Sequence, residues 1–299
     1  MGVEPGELVF TSGATEANHL AIRGVLDASP SGGILVTQPT EHASVLAEAS
    51  RWEAAGGRVR MLPIDAAGRC DPTDLEAAMS PEVALVSVMA ANNEIGTLQP
   101  VDALGAICRA RGIPLHVDAS QIPGRGRLSD LASHAALLSI SAHKAFGPKG
   151  AGLLFVRRKG PRVRLSPLMP GGGQEDGRRG GTVAVPLVVG LAAALVRAEH
   201  LREAWRPGLL AAGQALDALF LQGGHASLPG RQAAWATARS RPCPQTQACT
   251  SPLMGSTCRM MPHVAHWTST VMVGRGGRDL NTSGFLLEPG RSTGTRRGC

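Results

Sequence analysis

This sequence predicts an α/β fold in which a mostly parallel sheet carries helices on both faces, and three observations lead there. From residue 7 to about residue 200, short apolar runs alternate with longer amphipathic ones, and strands separated by helices are joined by crossovers that leave them parallel. The short runs, such as Ile34-Leu35-Val36 and Ala136-Leu137-Leu138, lack polar alternation, as burial on both faces requires. The chain's 299 residues suffice for a substantial core in one domain or two.

The elements follow in order. Leu8-Val9-Phe10 reads as a strand closing a segment that begins earlier, and the amphipathic stretch 15–27 as the first helix. Strands are then expected at Gly33 to Thr37, Val59 to Leu62, Val83 to Met89, Leu115 to Asp118, Ala136 to Ile140 and Leu153 to Val156, each a brief apolar run bounded by polar or turn residues. Helices are expected near 43–55, 73–79, 101–111 and 184–204, where apolar residues recur at helical spacing. Ligands of such a sheet gather at the carboxyl ends of its strands. After about residue 224 the rhythm stops. Arg239-Ser240-Arg241-Pro242-Cys243-Pro244 and Gly274-Arg275-Gly276-Gly277-Arg278 carry no period, and Lys is absent. The expected division is a large domain over 1–205 and an incomplete, partly disordered small domain over 206–299. A reading-frame change near residue 230 would explain the Arg-rich, aperiodic tail.

The net charge of +7 comes from that tail: residues 1–223 hold 21 Lys+Arg and 21 Asp+Glu, whereas 224–299 hold nine Arg against Asp279 and Glu288. A solvated, poorly ordered segment accounts for it better than specific nucleic-acid binding. Cys70 and Cys108 lie early and Cys243, Cys249, Cys258 and Cys299 late; the spacings suit neither a zinc ribbon nor a disulfide framework, so no metal is expected. No stretch is apolar and long enough to span a bilayer, and no signal peptide is evident, so a cytoplasmic location is expected.

Chemistry centres on "SAHKAFGPKG", residues 141–150. Arginine outnumbers lysine by 27 to three, so Lys144, placed where a buried strand meets a Gly/Pro loop, stands out from interchangeable surface cations. A lysine amine can lose its proton and attack carbonyls, which arginine cannot do. Asp118 closes a strand 26 residues earlier; a carboxylate facing a pyridinium nitrogen strengthens pyridoxal phosphate as an electron sink. Thr11-Ser12-Gly13-Ala14-Thr15-Glu16, between a strand and a helix start, exposes backbone donors suited to a phosphate.

Six segments in this order resemble the class V aminotransferase branch of the fold-type I pyridoxal-phosphate enzymes, and specifically the NifS-like cysteine desulfurases: "VFTSGATEANHLAIRG", "TEHASVL", "ANNEIGTLQP", "HVDASQ", "SAHKAFGPKGAGLLFVRR" and "GGGQEDGRRGGT". The resemblance implies pyridoxal 5'-phosphate as cofactor and assigns roles by position. Lys144 would bind the cofactor as a Schiff base and shuttle the substrate α-proton, Asp118 would pair with the pyridine nitrogen, and His42 would stack on the ring and assist proton transfer. Asn93 and Gln121 would contact the ring-hydroxyl side. Ala14, Thr15, Ser141 and His143 would surround the phosphate, and Thr182 would reach the phosphate of a second subunit, implying a homodimer. The implied reaction converts L-cysteine to L-alanine, leaving sulfur on an enzyme cysteine as a persulfide for an acceptor or iron–sulfur scaffold protein. Cys249, in Ala248-Cys249-Thr250-Ser251, matches the core of the family's cysteine loop. Family members begin earlier and keep a carboxylate-binding arginine near the far end; neither feature is expected here. The alternatives are another class V enzyme, such as a selenocysteine lyase or an aminotransferase, or an inactive pseudoenzyme.

Overall fold

The computed structural model describes residues 1–29, 33–159 and 163–222, with residues 216–222 described through their backbone alone. Expectations for Cys249 and for the tail fall outside these residues. A seven-stranded sheet runs in the order β1-β7-β6-β5-β4-β2-β3. Its strands are β1 (Leu8–Thr11), β2 (Ile34–Thr37), β3 (Arg58–Met61), β4 (Val83–Met89), β5 (Leu115–Asp118), β6 (Leu137–Ser141) and β7 (Gly152–Val156). The block from β3 to β6 is parallel; β7 is antiparallel to both β6 and β1. The expected mostly parallel sheet is therefore present, with an antiparallel border.

Among the described residues six α-helices cover it: α1 (Ala14–Asp27), α2 (Ala43–Ala54), α3 (Pro72–Ala78), α4 (Val101–Ala110), α5 (Leu128–His134) and α6 (Val185–Gln222). Side chains alternate between the two faces of the sheet. Leu35, Leu85, Leu137 and Leu154 pack with Leu20, Ile22, Val45 and Trp52 of α1 and α2. Ile34, Val36, Val86, Val88, Leu138 and Phe155 pack with Leu75, Leu104, Cys108, Leu128 and Leu191 of α3 to α6. Strands β2, β5, β6 and β7 are buried along their whole length, which accounts for the unbroken apolar runs. Each fully buried Leu or Ile contributes about 1.5–3 kcal/mol relative to exposure.

The structure adds α5, whose seven residues, LSDLASH, give an apolar spacing too short to stand out in the sequence. It also extends α6 well past residue 204, through Pro207, so the expected boundary at 205 falls within one helix. The β1 border of the sheet has its outward N–H groups engaged, and the β3 border carries charged side chains. On β1 the Leu8 N–H donates to Pro5 O and the Phe10 N–H donates to Glu175 Oε2 at 2.8 Å. On β3, Arg58 forms a two-pronged contact with Glu82 at 3.0 and 3.1 Å. Among the described residues no helix is long and apolar enough to cross a membrane.

Candidate active site

The carboxyl ends of β1, β2, β4, β5 and β6 all open on one edge of the sheet, a consequence of their shared direction. Chain order reverses between β2 and β4. From β2 the chain crosses by α2 outward to β3, whereas from β4 it crosses by α4 the other way to β5. The loops after β2 and β4 therefore part, and a crevice at such a reversal is where doubly wound sheets bind ligands. His42 follows β2, Asn93 follows β4, Asp118 ends β5, and Ser141, His143 and Lys144 end or follow β6. A cavity of about 330 Å³ at the opposite, amino-terminal end of the strands is lined by none of these residues.

Asp118 is 6 % exposed. Its Oδ1 accepts from the Ser120 N–H at 2.9 Å and its Oδ2 from the Asn18 side-chain amide at 2.8 Å. Beneath it on the same face of β5, His116 is fully buried and bonds Ser87 Oγ through Nδ1 at 2.8 Å and Ser139 Oγ through Nε2 at 2.9 Å. Burial pushes His116 down to about 4, against the pull of the Asp118 charge. Glu41 is buried too: its Oε1 accepts from Gln38 Nε2 at 2.7 Å and the Met89 N–H at 2.6 Å. Desolvation pushes its carboxyl up to about 8, and the neighbouring Asp118 charge adds to the rise.

His42 caps α2, accepting the Ser44 N–H on Nδ1 at 3.1 Å. Of the Asn92-Asn93 pair, Asn92 is the scaffold: its amide donates to Thr40 O at 2.8 Å and its oxygen accepts the N–H groups of Glu94 and Ile95, which leaves Asn93 exposed beside it. Lys144 lies in a tight turn, Ala142–Ala145, that buries both alanines and closes on Phe146 at φ 63°. A non-glycine residue in that region marks a backbone held by its surroundings. The half-buried Lys144 makes no ion pair or side-chain hydrogen bond among the described residues. Its turn follows β6, the strand hydrogen-bonded to β5. Gln121 is partly buried just after β5.

At the phosphate end, α1 begins at Ala14 without a side-chain cap, so the first-turn N–H groups of Ala14, Thr15 and Glu16 lack helical partners. Ser141 Oγ and His143 Nδ1 are 2.7 Å apart. Partial burial, with the Lys144 and Lys149 charges, holds His143 below its ordinary value. A Cβ on Gly152 would stand 2.6 Å from Gly13 Cα and 2.7 Å from Ile140 O; only glycine lets the loop before α1 lie this close to β6 and β7. Thr182 is exposed in the loop before α6. Arg179 of that loop donates from Nε to Glu16 Oε1 at 2.8 Å.

This donor set fits pyridoxal phosphate. One edge offers open backbone N–H groups at a helix start for an anion, a buried carboxylate for a ring nitrogen and an unpaired lysine amine. Among the described residues, no cluster of three or more His, Cys, Asp or Glu could hold a metal ion. Neither described cysteine suits nucleophilic work: burial pushes the Cys70 and Cys108 thiols up to about 12, which keeps them from forming thiolate. Sequence reasoning did not single out Asn18, Ser44, Glu41 or Arg179. A signal for Asn18 existed, since it is an amide on the buried stripe of α1 otherwise made of Ala17, Leu20, Ala21 and Ile22.

Residues 1–206 match the family described as aminotransferase class-V. A mouse protein named cysteine desulfurase is 48 % identical over 204 residues, covering 68 % of this chain and 44 % of that protein. A Drosophila melanogaster protein named cysteine desulfurase, mitochondrial, is 48 % identical over 196 residues, covering 65 % of this chain and 42 % of that protein. A solved NifS-like protein superimposes with a TM-score of 0.69 at 34 % identity, covering 74 % of this chain and 60 % of that one. The chain thus spans a little under half the length of the mouse and Drosophila relatives.

Proposed function

The chain belongs to the aminotransferase class-V family, and from that premise we propose that it is a pyridoxal-phosphate-dependent cysteine desulfurase that converts L-cysteine to L-alanine. One observation carries the reading: Asp118, the His42 loop, the Lys144 turn and the open start of α1 meet on a single edge of the sheet. The desulfurase relatives, similar over this same large unit, support it.

Bound at this edge, pyridoxal phosphate supplies an electron sink for a carbanion at the substrate Cα. Lys144 would hold the cofactor by its amine and carry the α-proton. Asp118, fixed by Asn18 and the Ser120 N–H, would accept from the ring nitrogen. His42 would cover the ring, with Asn93 and Gln121 on its hydroxyl side. Ala14, Thr15, Ser141 and His143 would hold the phosphate, and Thr182 would serve that of a second copy in a homodimer. Sulfur transfer needs an enzyme thiolate. It attacks the substrate Sγ, an S–S bond forms, the Cβ–Sγ bond breaks, and its electron pair stays on carbon, which takes a proton to give alanine. Cys70 and Cys108 being unsuited, the proposed nucleophile is Cys249, chosen among the later cysteines for the family-like Ala248-Cys249-Thr250-Ser251 stretch, and the persulfide would pass to an acceptor or iron–sulfur scaffold protein. We take 1–205 as the large domain and the rest as the small one. The expected cytoplasmic location gains no support from the Drosophila relative, whose name places it in mitochondria.

The test is to mix the full chain with pyridoxal phosphate, then supply L-cysteine and measure alanine and persulfide sulfur. A chain that takes up cofactor but forms no alanine from cysteine contradicts the desulfurase assignment. One that forms alanine equally well as Cys249→Ala contradicts the choice of nucleophile.

A further inference from the structure

We propose that Asn18 is a positioning residue: through one buried carboxamide it holds Asp118 as a hydrogen-bond acceptor and, together with the Ser44 N–H, biases His42 to the Nε2–H tautomer. The inference rests on the reading of Asp118 and His42 as cofactor-facing groups, and it goes beyond that reading by naming the residue that couples them.

Asn18 sits on the buried face of α1 and is wholly inaccessible to solvent. Its Nδ2 is 2.8 Å from Asp118 Oδ2 and 2.9 Å from Ser44 Oγ. An amide nitrogen has two protons and accepts nothing, so both contacts run outward from Asn18. The reversed amide is excluded because its oxygen would then face the Asp118 carboxylate. Ser44 Oγ, having accepted from Asn18, spends its own proton elsewhere. His42 Nδ1, 2.8 Å away, stands in position to accept it. The Ser44 N–H points to that same ring nitrogen at 3.1 Å. Two donors aimed at Nδ1 leave it unprotonated, and the neutral ring carries its proton on Nε2.

The side-chain bonds therefore have one polarity, Asn18 to Asp118 on one branch and Asn18 through Ser44 to His42 on the other, and the Ser120 and Ser44 N–H groups add a backbone donor at each end. The two branches end on the two groups assigned to the cofactor's ring nitrogen and ring face. A carboxylate in place of the amide inverts the order. It would accept the Ser44 proton, turning Ser44 Oγ into an acceptor for a proton on His42 Nδ1, and it would set a second negative charge against Asp118.

The test uses the full chain labelled with ¹⁵N-histidine, with the His42 signals among the nine histidines identified by their loss in His42→Gln. Without any cofactor, the wild-type ring should show a protonated Nε2 and an unprotonated Nδ1 at neutral pH. In Asn18→Asp the Ser44 N–H is the one donor left against Nδ1, and the proton should appear on Nδ1 in a measurable fraction of molecules. Asn18→Leu, of similar volume but with no donor, should bind added pyridoxal phosphate roughly tenfold or more weakly, the scale of a lost hydrogen bond to a charged group. Asn18→Gln, which keeps the donor, should recover part of that loss. Circular dichroism confirms that each variant is folded; if Asn18→Leu is not, the Asn18→Asp spectrum decides alone. A His42 proton that stays wholly on Nε2 in folded Asn18→Asp, with no Nδ1–H signal beyond that of the wild type, overturns the proposal. Failure of the wild type to take up cofactor, with the tautomer switching as described, overturns the cofactor reading and leaves the coupling itself supported.

Discussion

Arg179 and Glu16 form a half-buried ion pair, Nε to Oε1 at 2.8 Å, that ties the loop carrying Thr182 to the first turn of α1. Burial works to raise the Glu16 carboxyl, but the Arg179 and Ser12 hydrogen bonds outweigh it and hold it below the ordinary carboxylate range. Arg179→Ala should loosen both sides of the proposed phosphate site and weaken cofactor binding several-fold, roughly the effect of about 1 kcal/mol. Arg179→Lys should recover only part, since lysine lacks the planar fork. Titration with pyridoxal phosphate followed by absorbance measures this; unchanged affinity in Arg179→Ala removes the pair from the site.

Lys144→Ala should abolish the visible absorption that develops when the chain is mixed with pyridoxal phosphate, while leaving the melting temperature of the cofactor-free protein nearly unchanged. The second expectation follows from the absence of any ion pair or side-chain hydrogen bond at this lysine among the described residues. An absorption band that persists in the variant would place the covalent link on another amine.

Stability should depend on pH through two buried groups acting in opposite senses. Glu41, pushed up to about 8 by desolvation, holds its proton in the folded state while the unfolded chain releases it, so stability falls as pH rises from about 4.5 to 8. His116, pushed down to about 4 by burial, stays neutral in the fold while the unfolded chain takes up a proton, so stability falls as pH drops from about 6.5 to 4. The two slopes oppose each other between about 4.5 and 6.5. Urea midpoints should therefore decline between pH 6.5 and 8, and Glu41→Gln should flatten that decline and uncover the acid limb of His116, on the order of 3 kcal/mol in full. A Glu41→Gln protein with the wild-type alkaline decline would refute the assignment.

Gly152→Ala should cost stability and ligand binding together, because its methyl group would lie 2.6 Å from the Gly13 backbone and 2.7 Å from Ile140 O. Backbone atoms on both sides cannot yield as a flexible side chain would, so a loss of about 1–3 kcal/mol is expected, the range for overpacking. Thermal melts and cofactor titration of the same variant check both parts; a methyl tolerated in both assays would mean that the Gly13 loop can move off β7.

Much of the fold was legible in the sequence because burial on two faces writes itself into unbroken apolar runs, as at Ile34–Thr37 and Leu137–Ser141. The α5 helix escaped notice because two turns give too few repeats of a helical period to stand out. At the site, ordered motifs brought Asp118, His42 and Lys144 into view. The residues that hold them did not come into view, because their effect depends on pairings far apart in the chain. Asn18 meets Asp118 across 100 residues and Ser44 across 26, and Glu41 receives the Met89 N–H from 48 residues away. Such bonds exist only once the sheet has brought strand ends together, and a reading along the chain sees only an amide in a helix and an acid in a loop.

The dressed borders of the sheet have a consequence for how molecules of this protein meet. The outward N–H groups of Leu8 and Phe10 on β1 are already engaged, and β3 presents arginines with Glu82 standing against Arg58. The β1 rim therefore offers a neighbour's strand no free N–H at these two positions, and the charged side chains along β3 make that rim a poor template for strand addition. Edge-to-edge growth of one sheet onto another is thereby disfavoured at both margins of the described sheet while this fold persists.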